Sequence, residues 1–187
     1  MRIKAYIVAF TKSMVCFFCL ILMAGNAVAK NRPFYPSIPW GNNRQPCWDA
    51  AGSYHNVDPW LLYAIAKVES GYNPSALARN SNGSVDLGIM QVNSAHWSRL
   101  RQYGIAPSAL VNACASTYIG AWVLAAAQRR YGKTWKAIAA YNVGTIDTPK
   151  KALIGWRYAK RVYAAYGMLT RTMYHSAYKQ QSKILGQ

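Results

Sequence analysis

Apolar residues recur at helical spacing through most of the chain beyond Cys47. In the stretch DPWLLYAIAKVES, they fall three and four positions apart, as on one face of an α-helix. Asp58 stands where an N-cap residue belongs, Pro59 occupies the first helical position, and Gly71 follows the last periodic residue. The pattern predicts a helix that begins after Asp58 and ends at Gly71.

Five further segments show a helical pattern: CWDAAGSYHN, NSAHWSRLRQYG, ACASTYIGAWVLAAAQRRYG, TWKAIAAYN and GWRYAKRVYAAYG. The third is the longest, and Gly132 ends it; its Trp122 falls on the apolar face and is predicted to be a core residue. Between the predicted helices lies GYNPSALARNSNGSVD, which is rich in turn residues, and NSNGS in its centre predicts a small hairpin. We therefore expect an α+β domain, mostly α, with one small β element.

The only glutamate of the chain, Glu69, lies within the apolar arc of a predicted helix. At 100° per residue it falls about 80° from Leu61, close to Leu62 at about 100°, whereas Lys67 points to the opposite side. A carboxylate in apolar surroundings loses hydration, which raises its pKa, and a general acid at neutral pH needs such a pKa. The alternative is a glutamate at the edge of the arc that reaches water or pairs with an arginine.

The N-terminal segment resembles a secretion signal. Arg2, Lys4 and Lys12 precede an apolar run of about 12 residues, which is too short to span a bilayer, and AVAK offers a cleavage site after Ala29. We predict a signal peptide at 1–29, with a retained signal anchor as the alternative. No stable membrane span is expected after cleavage.

The rest of the chain divides by composition. Residues 30–45 are rich in proline, glycine and asparagine and are predicted to be a flexible leader. The helical segments define a domain at 46–167. The last residues, 168–187, carry Arg171, Lys179 and Lys183 with no acid, and are predicted to be a basic tail, either frayed or a solvated helix.

The chain is strongly basic, with 22 Lys and Arg against 5 acidic residues. Removing the three basic residues of the signal leaves about +14, which suggests acidic partners such as anionic lipid, nucleic acid or an anionic wall polymer. Export and the lack of a nucleic-acid-binding motif argue against nucleic acid. Six basic residues of the C-terminal half form either a solvated surface, a region attracted to carboxylates of a wall, or a docking site for a partner: Arg129, Arg130, Lys150, Lys151, Lys160 and Arg161.

Two cysteines remain after removal of the signal, Cys47 and Cys114. An even pair in an exported chain predicts a disulfide, here across 67 residues, which contributes roughly 3–5 kcal/mol by chain entropy. The histidines, His55, His96 and His175, have no metal-ligand spacing. We therefore predict no metal and no cofactor.

Three short motifs occur in order: ESGYNP, GIMQ and AYNVG. Together they resemble the ES, GLMQ and AYNxG signatures of the family 1 lytic transglycosylases, the SLT domain, over roughly 47–166. The lengths and the CW…C pair look most like the small IagB/PilT-type members, which accompany secretion systems, pili and conjugation machinery. The resemblance implies a lysozyme-like fold, peptidoglycan as substrate and a location in the periplasm of a Gram-negative bacterium.

The resemblance also implies roles for individual residues. Glu69 matches the acid and base that cleaves the MurNAc–GlcNAc β-1,4 bond and closes a 1,6-anhydro ring without an enzymic nucleophile, an exception to the usual two-carboxylate scheme. Substrate-binding roles fall on Ser70, Gln91, Tyr141, Asn142 and a tyrosine of the last helix, for which Tyr158 is the best match and Tyr163 an alternative. Trp97 and Trp156 are further candidates for sugar contacts.

Asp86 leaves a second mechanism open. The stretch from Glu69 to Asp86 also resembles chicken-type lysozymes, in which an aspartate 17 residues beyond the acid would permit retaining hydrolysis. Alternatively, Asp86 caps a turn, bonds the backbone ahead of Gly88, or has only an electrostatic role. A third hypothesis, from another class, is a non-catalytic wall-binding subunit of an assembly.

Overall fold

The structure, a computed structural model, describes residues 47–184, with side chains as far as residue 172 and at residue 175. The predicted signal peptide (1–29) and leader (30–45) lie outside the described residues. Within 47–184, no helix combines the length and the hydropathy needed to cross a membrane.

Six α-helices account for most of the described chain. They are α1 Trp48–His55, α2 Pro59–Ser70, α3 Trp97–Gln102, α4 Ala113–Tyr131, α5 Trp135–Val143 and α6 Pro149–Ile184, with 3-10 turns at Ser94–His96 and Pro107–Val111. All six predicted helical segments form helices, and the expected caps of α2 are present: Asp58 Oδ1 accepts a hydrogen bond from Trp60 N, and Gly71 adopts a left-handed conformation (φ 61°). The 3-10 turn at Pro107–Val111 was not predicted, because five residues carry too little periodicity.

A three-stranded antiparallel sheet forms the β element, in the order β1 Leu77–Arg79, β2 Val85–Leu87 and β3 Val92–Asn93. The predicted NSNGS turn joins β1 to β2. In the register of the sheet, Asp86 lies opposite Ala78 on one side and Asn93 on the other. The sequence did not indicate β3, because two residues are too short to show alternation.

Helix α4 forms the centre of the core. Most of its residues are buried, and Trp122 is only 8% exposed, which confirms its prediction as a core residue. Helices α1 and α5 pack against α4, and the Cys47–Cys114 disulfide joins the residue before α1 to the first turn of α4. The structure therefore contains the disulfide that the cysteine pair predicts.

Helix α6 is longer than the sequence pattern indicated. It begins at Pro149, where the Thr148 hydroxyl accepts a hydrogen bond from Lys151 N at 3.2 Å, and it continues without a break through Gly167. The expected boundary at Gly167 is therefore not a helix end. The first half of α6 packs against α2 and α5, and this packing outweighs the weak helix propensity of a single glycine, which costs about 1 kcal/mol. Within the described residues, the predicted tail is helical from 168 to 184.

Asp58 connects α2 to α6 as well as capping α2. Its second carboxylate oxygen accepts a hydrogen bond from the Tyr166 hydroxyl at 2.6 Å, and this bond raises the pKa of Tyr166 to about 12. We expect Asp58→Ala to lower the free energy of unfolding by about 2 kcal/mol, because it removes both a helix cap and a charge-assisted hydrogen bond. Urea denaturation measures this change.

The matched control is Asp49→Ala, which removes an exposed acid from the first turn of α1. It should change the stability by no more than about 0.5–1 kcal/mol. Equal losses for the two variants would contradict the role assigned to Asp58.

Candidate active site

Glu69 lies in the last turn of α2, half-buried, with the chain turning away at Gly71. The Tyr158 hydroxyl, on α6, donates a 2.6 Å hydrogen bond to Glu69 Oε1. Tyr158 itself is only 1% exposed, so Glu69 receives this hydrogen bond from a buried side chain. The other carboxyl oxygen, Oε2, accepts no hydrogen bond from the backbone and side chains that the structure describes.

The pKa of Glu69 is raised to about 7, mainly because burial disfavours the carboxylate. The negative charge of Asp86 raises this pKa further, whereas the hydrogen bond from Tyr158 and the positive charge of Arg161 lower it. The direction agrees with the expectation from the helical wheel. At neutral pH both protonation states of Glu69 are populated, so this one group can donate a proton and then accept one.

Of the two candidate tyrosines on the last helix, the structure brings only Tyr158 to Glu69. Tyr163 is 62% exposed and packs edge-on against Trp135, with ring centroids 5.0 Å apart. Sequence reasoning missed Arg161 as a site residue: its guanidinium lies 5.7 Å from the Tyr158 ring centroid. Its position one helical turn after Tyr158 was the available signal.

Tyr141 of α5 continues the site away from Tyr158. Their rings are nearly parallel, 11° apart, with centroids at 6.4 Å, and the Tyr141 hydroxyl donates to Met90 O at 2.8 Å. Burial, together with the nearby charges of Glu69 and Asp86, raises the pKa of Tyr141 well above its usual value, so it remains a neutral donor. Asn142 is exposed, and its side chain makes no hydrogen bond to the described residues.

The GIMQ motif (residues 88–91) forms the turn between β2 and β3, and side chains of α2 and α5 bond to it; we call it the GIMQ turn. Ser70 Oγ donates to Ile89 O at 2.8 Å, which fastens the end of α2 to the turn. Gln91, at φ 46°, donates from Nε2 to Gly88 O (2.8 Å) and Ala76 O (3.1 Å). Both N–H donors of Gln91 and the hydroxyl hydrogen of Ser70 are thus used to hold the backbone, and only their oxygens remain for other contacts.

Asp86 is half-buried on β2, and side-chain amides hold both of its carboxylate oxygens. Asn80 Nδ2 donates to Oδ2 at 2.8 Å, and Asn93 Nδ2 donates to Oδ1 at 2.7 Å. The alternative in which Asp86 caps a turn or bonds the backbone is therefore not what the structure shows. Asn80 and Asn93 were not identified from the sequence, since only the register of the hairpin places them beside Asp86.

The two tryptophans predicted to contact sugar take no part in the hydrogen bonds described above. Trp156 is 43% exposed on α6, and Trp97 is half-buried with no partner for its indole N–H within the described residues. Among residues 47–184, no group of three or more His, Cys, Asp or Glu side chains is arranged to hold a metal.

A mostly helical domain with a small sheet, and a glutamic acid of near-neutral pKa at the end of a helix, define a lysozyme-like enzyme of glycan cleavage. Residues 46–166 match the family model described as the Transglycosylase SLT domain. The chain belongs to this family, and its class of activity is that of a peptidoglycan lytic transglycosylase.

Similar proteins include the invasion protein IagB of Salmonella typhimurium, 43% identical over 124 residues that cover 66% of this chain and 76% of the relative. Protein IpgF of Shigella flexneri is 44% identical over 124 residues, 66% of this chain and 80% of the relative. X polypeptide of Escherichia coli is 39% identical over 121 residues, 64% of this chain and 72% of the relative.

A solved structure of an inactive mutant of lytic transglycosylase Slt from Pseudomonas aeruginosa shares the fold. Its TM-score is 0.54 at 19% identity, and the match covers 67% of this chain. The same match covers 24% of the Slt chain, so this protein corresponds to about a quarter of it. The lysozyme-like fold expected from the motifs is confirmed.

Proposed function

We propose that this chain cleaves the MurNAc–GlcNAc β-1,4 bond of peptidoglycan and leaves 1,6-anhydroMurNAc ends. The observation that supports this most is the state of Glu69: a pKa of about 7, one oxygen bound by Tyr158 and the other unbonded within the described residues. A single carboxyl in this state has the two roles that the reaction needs, and no cofactor is required.

In the first step, protonated Glu69 gives its proton from Oε2 to the glycosidic oxygen, and GlcNAc leaves with a free 4-hydroxyl. The carbonyl oxygen of the MurNAc N-acetyl group attacks C1 and shares the positive charge. Tyr158 holds Oε1 throughout, so the proton is carried on the oxygen that faces the substrate.

In the second step, the carboxylate of Glu69 takes the proton of the MurNAc 6-hydroxyl. Oxygen 6 then attacks C1, the acetyl oxygen departs, and Glu69 returns to its protonated form. No water is consumed. The fixed negative charge of Asp86, held by two amides, stabilises the positive charge that develops at C1 in both steps.

The position of Asp86 also favours a second candidate, a retaining lysozyme-type hydrolase. In lysozyme, a glutamic acid with a raised pKa lies near an aspartate in a polar, hydrogen-bonded environment, and the aspartate acts as nucleophile or stabiliser. Here both Asp86 oxygens already accept a short hydrogen bond, which lowers their nucleophilicity and favours the electrostatic role.

Digestion of purified peptidoglycan, followed by mass spectrometry of the muropeptides, separates these candidates. We expect anhydro ends, lighter by one water than hydrolysis products. Asp86→Asn should reduce the rate by about tenfold if Asp86 only stabilises charge, and by more than about a thousandfold if it is the nucleophile. Reducing ends would refute the transglycosylase reaction, and a lack of any release would favour a non-catalytic wall-binding subunit.

We further propose that the protein acts in the periplasm and opens the wall locally for a secretion, pilus or conjugation apparatus. The signal-like N-terminus supports export, and the name of one relative, an invasion protein, supports a link to such an apparatus. Fractionation of cells that express the full chain should place it in the periplasm. Retention in the cytoplasm would contradict this location.

A further inference from the structure

A cavity of about 420 Å³ opens beside the active site, between the 3-10 turn at Ser94–His96 and helices α3, α4 and α5. Its lining includes two arginines, three aromatic side chains and a histidine: Arg99, Arg130, Trp122, Tyr131, Tyr141 and His96. We call this cavity the arginine pocket. Apart from Tyr141, no lining residue belongs to the active site described above.

The arginine pocket carries positive charge without any neutralising acid. No Asp or Glu lines it, and neither Arg99 nor Arg130 forms an ion pair with an acid of residues 47–184. The other described acids have their own neighbours: Asp147 pairs with Lys151, for example, and Asp86 is held by two amides. A pocket of this kind suits an anionic ligand.

Both guanidinium groups are placed on aromatic faces. Arg99 lies 5.2 Å from the ring centroid of Trp122, and Arg130 lies 5.4 Å from that of Tyr131. Contact with a ring restricts where a guanidinium lies, and the forked N–H donors of arginine match the two oxygens of a carboxylate. A carboxylate is therefore an anion that suits this pocket.

The arginine pocket is next to the reacting centre. Tyr141 lines the pocket, and its ring stacks at 6.4 Å on Tyr158, the residue that bonds Glu69. A ligand in the pocket is thus separated from the catalytic carboxyl by two side chains. In peptidoglycan, the group on the MurNAc sugar that carries free carboxylates is the peptide stem.

We propose that the arginine pocket binds a carboxylate of the peptide stem, and that Arg99 and Arg130 make the enzyme prefer peptidoglycan whose stems are anionic. This inference rests on the proposed action on peptidoglycan. It assigns a substrate-recognition site to two of the chain's many basic residues and leaves the chemistry to Glu69.

The test compares untreated peptidoglycan with peptidoglycan whose stem carboxylates have been converted to methylamides by carbodiimide coupling. This treatment removes the charge and keeps the glycan and the peptide. The pocket variant is R99Q/R130Q, and the matched control is R101Q/R129Q, which removes the same charge from the same two helices outside the pocket. All four arginines are exposed, so all variants should fold, and thermal unfolding checks this.

For the wild type we expect the KM to rise about tenfold on the methylamidated substrate, with kcat little changed. The pocket variant should show the raised KM already on untreated peptidoglycan and no further rise on the methylamidated one. The control variant should behave as the wild type. Equal sensitivity of the pocket variant and the wild type to methylamidation would overturn the proposal, and so would an equal loss in the control.

The proposed reaction and the pocket fail separately in this design. Reducing ends instead of anhydro ends would refute the reaction but leave the comparison of KM values intact. If the wild type releases nothing, cosedimentation with the two kinds of peptidoglycan replaces the kinetics. The pocket is then supported by affinity that depends on stem charge and on Arg99 and Arg130, and is refuted by affinity that does not.

Discussion

Glu69→Gln is expected to reduce muropeptide release by at least about a thousandfold, with the fold intact. Glutamine keeps the size of the side chain and still accepts the hydrogen bond from Tyr158, but it can neither give a proton to the glycosidic oxygen nor take one from the 6-hydroxyl. Mass spectrometry of digests, with Glu69→Gln and the wild type at equal concentration, measures the loss. Release at the wild-type rate would show that another group is the acid.

The pH dependence gives the same prediction a second readout. The pKa of Glu69 in the folded protein is about 7, so the fraction of enzyme carrying the acidic proton falls above that pH. The kcat/KM of the wild type should therefore decline on the alkaline side of about pH 7. A profile that is flat through this range would contradict the role of Glu69 as the proton donor.

The stability of the same variant shows that the loss is chemical rather than structural. Folding raises the pKa of Glu69 from 4.5 to about 7. The contribution of protonated Glu69 to the free energy of unfolding is therefore full below the unfolded-state pKa and is lost as the pH rises through the folded-state pKa. Glutamine does not ionise. Glu69→Gln should thus match the wild type near pH 4 and exceed it by up to about 3 kcal/mol near pH 8.

Gly88→Ala is expected to destabilise the protein by about 3–5 kcal/mol and to remove most of its activity. Gly88 opens the GIMQ turn at φ 82°, and a Cβ added there would overlap the carbonyl oxygen of Leu110 and lie 2.7 Å from Ser116 Oγ. Neither backbone nor core can move aside easily. Urea denaturation measures the stability, and muropeptide release measures the activity.

Gly83→Ala is the matched control for this substitution. Gly83 lies in the hairpin turn at nearly the same φ, 81°, but a Cβ there would have nothing within 4 Å. Only the backbone strain remains, about 1–2 kcal/mol. The difference between the two variants isolates the close approach at Gly88. Equal destabilisation would show that φ alone, and not contact with Leu110 and Ser116, explains the glycine of the motif.

Local signals in the sequence were enough for most of the fold. The N-cap at Asp58 and the stop at Gly71 predicted α2 at its true bounds, because caps act within one helical turn. At the other end of the chain the local signal misled. Gly167 looked like a helix end, but glycine at this point is a weak preference, and α6 passes through it.

Local signals in the sequence predicted only part of the candidate site. The wheel placed Glu69 toward the apolar side, and the motifs pointed to Ser70, Gln91 and Tyr141. The hydrogen-bond partners of these residues could not be predicted from the sequence, since the bonds of Ser70 and Tyr141 to the GIMQ turn span 19 and 51 residues. Their roles toward a substrate remain predictions, and the structure adds that they also hold the turn.

The sequence by itself determined the helical frame, the disulfide pair and the single glutamate that leans toward the interior, because each depends on periodicity, caps or counting. Only the tertiary structure decided that Tyr158 and not Tyr163 meets Glu69, that Asn80 and Asn93 hold Asp86, and that two arginines line a cavity beside Tyr141. These pairings join residues from separate elements. Their distances depend on how the helices and the hairpin pack, and no local pattern encodes that packing.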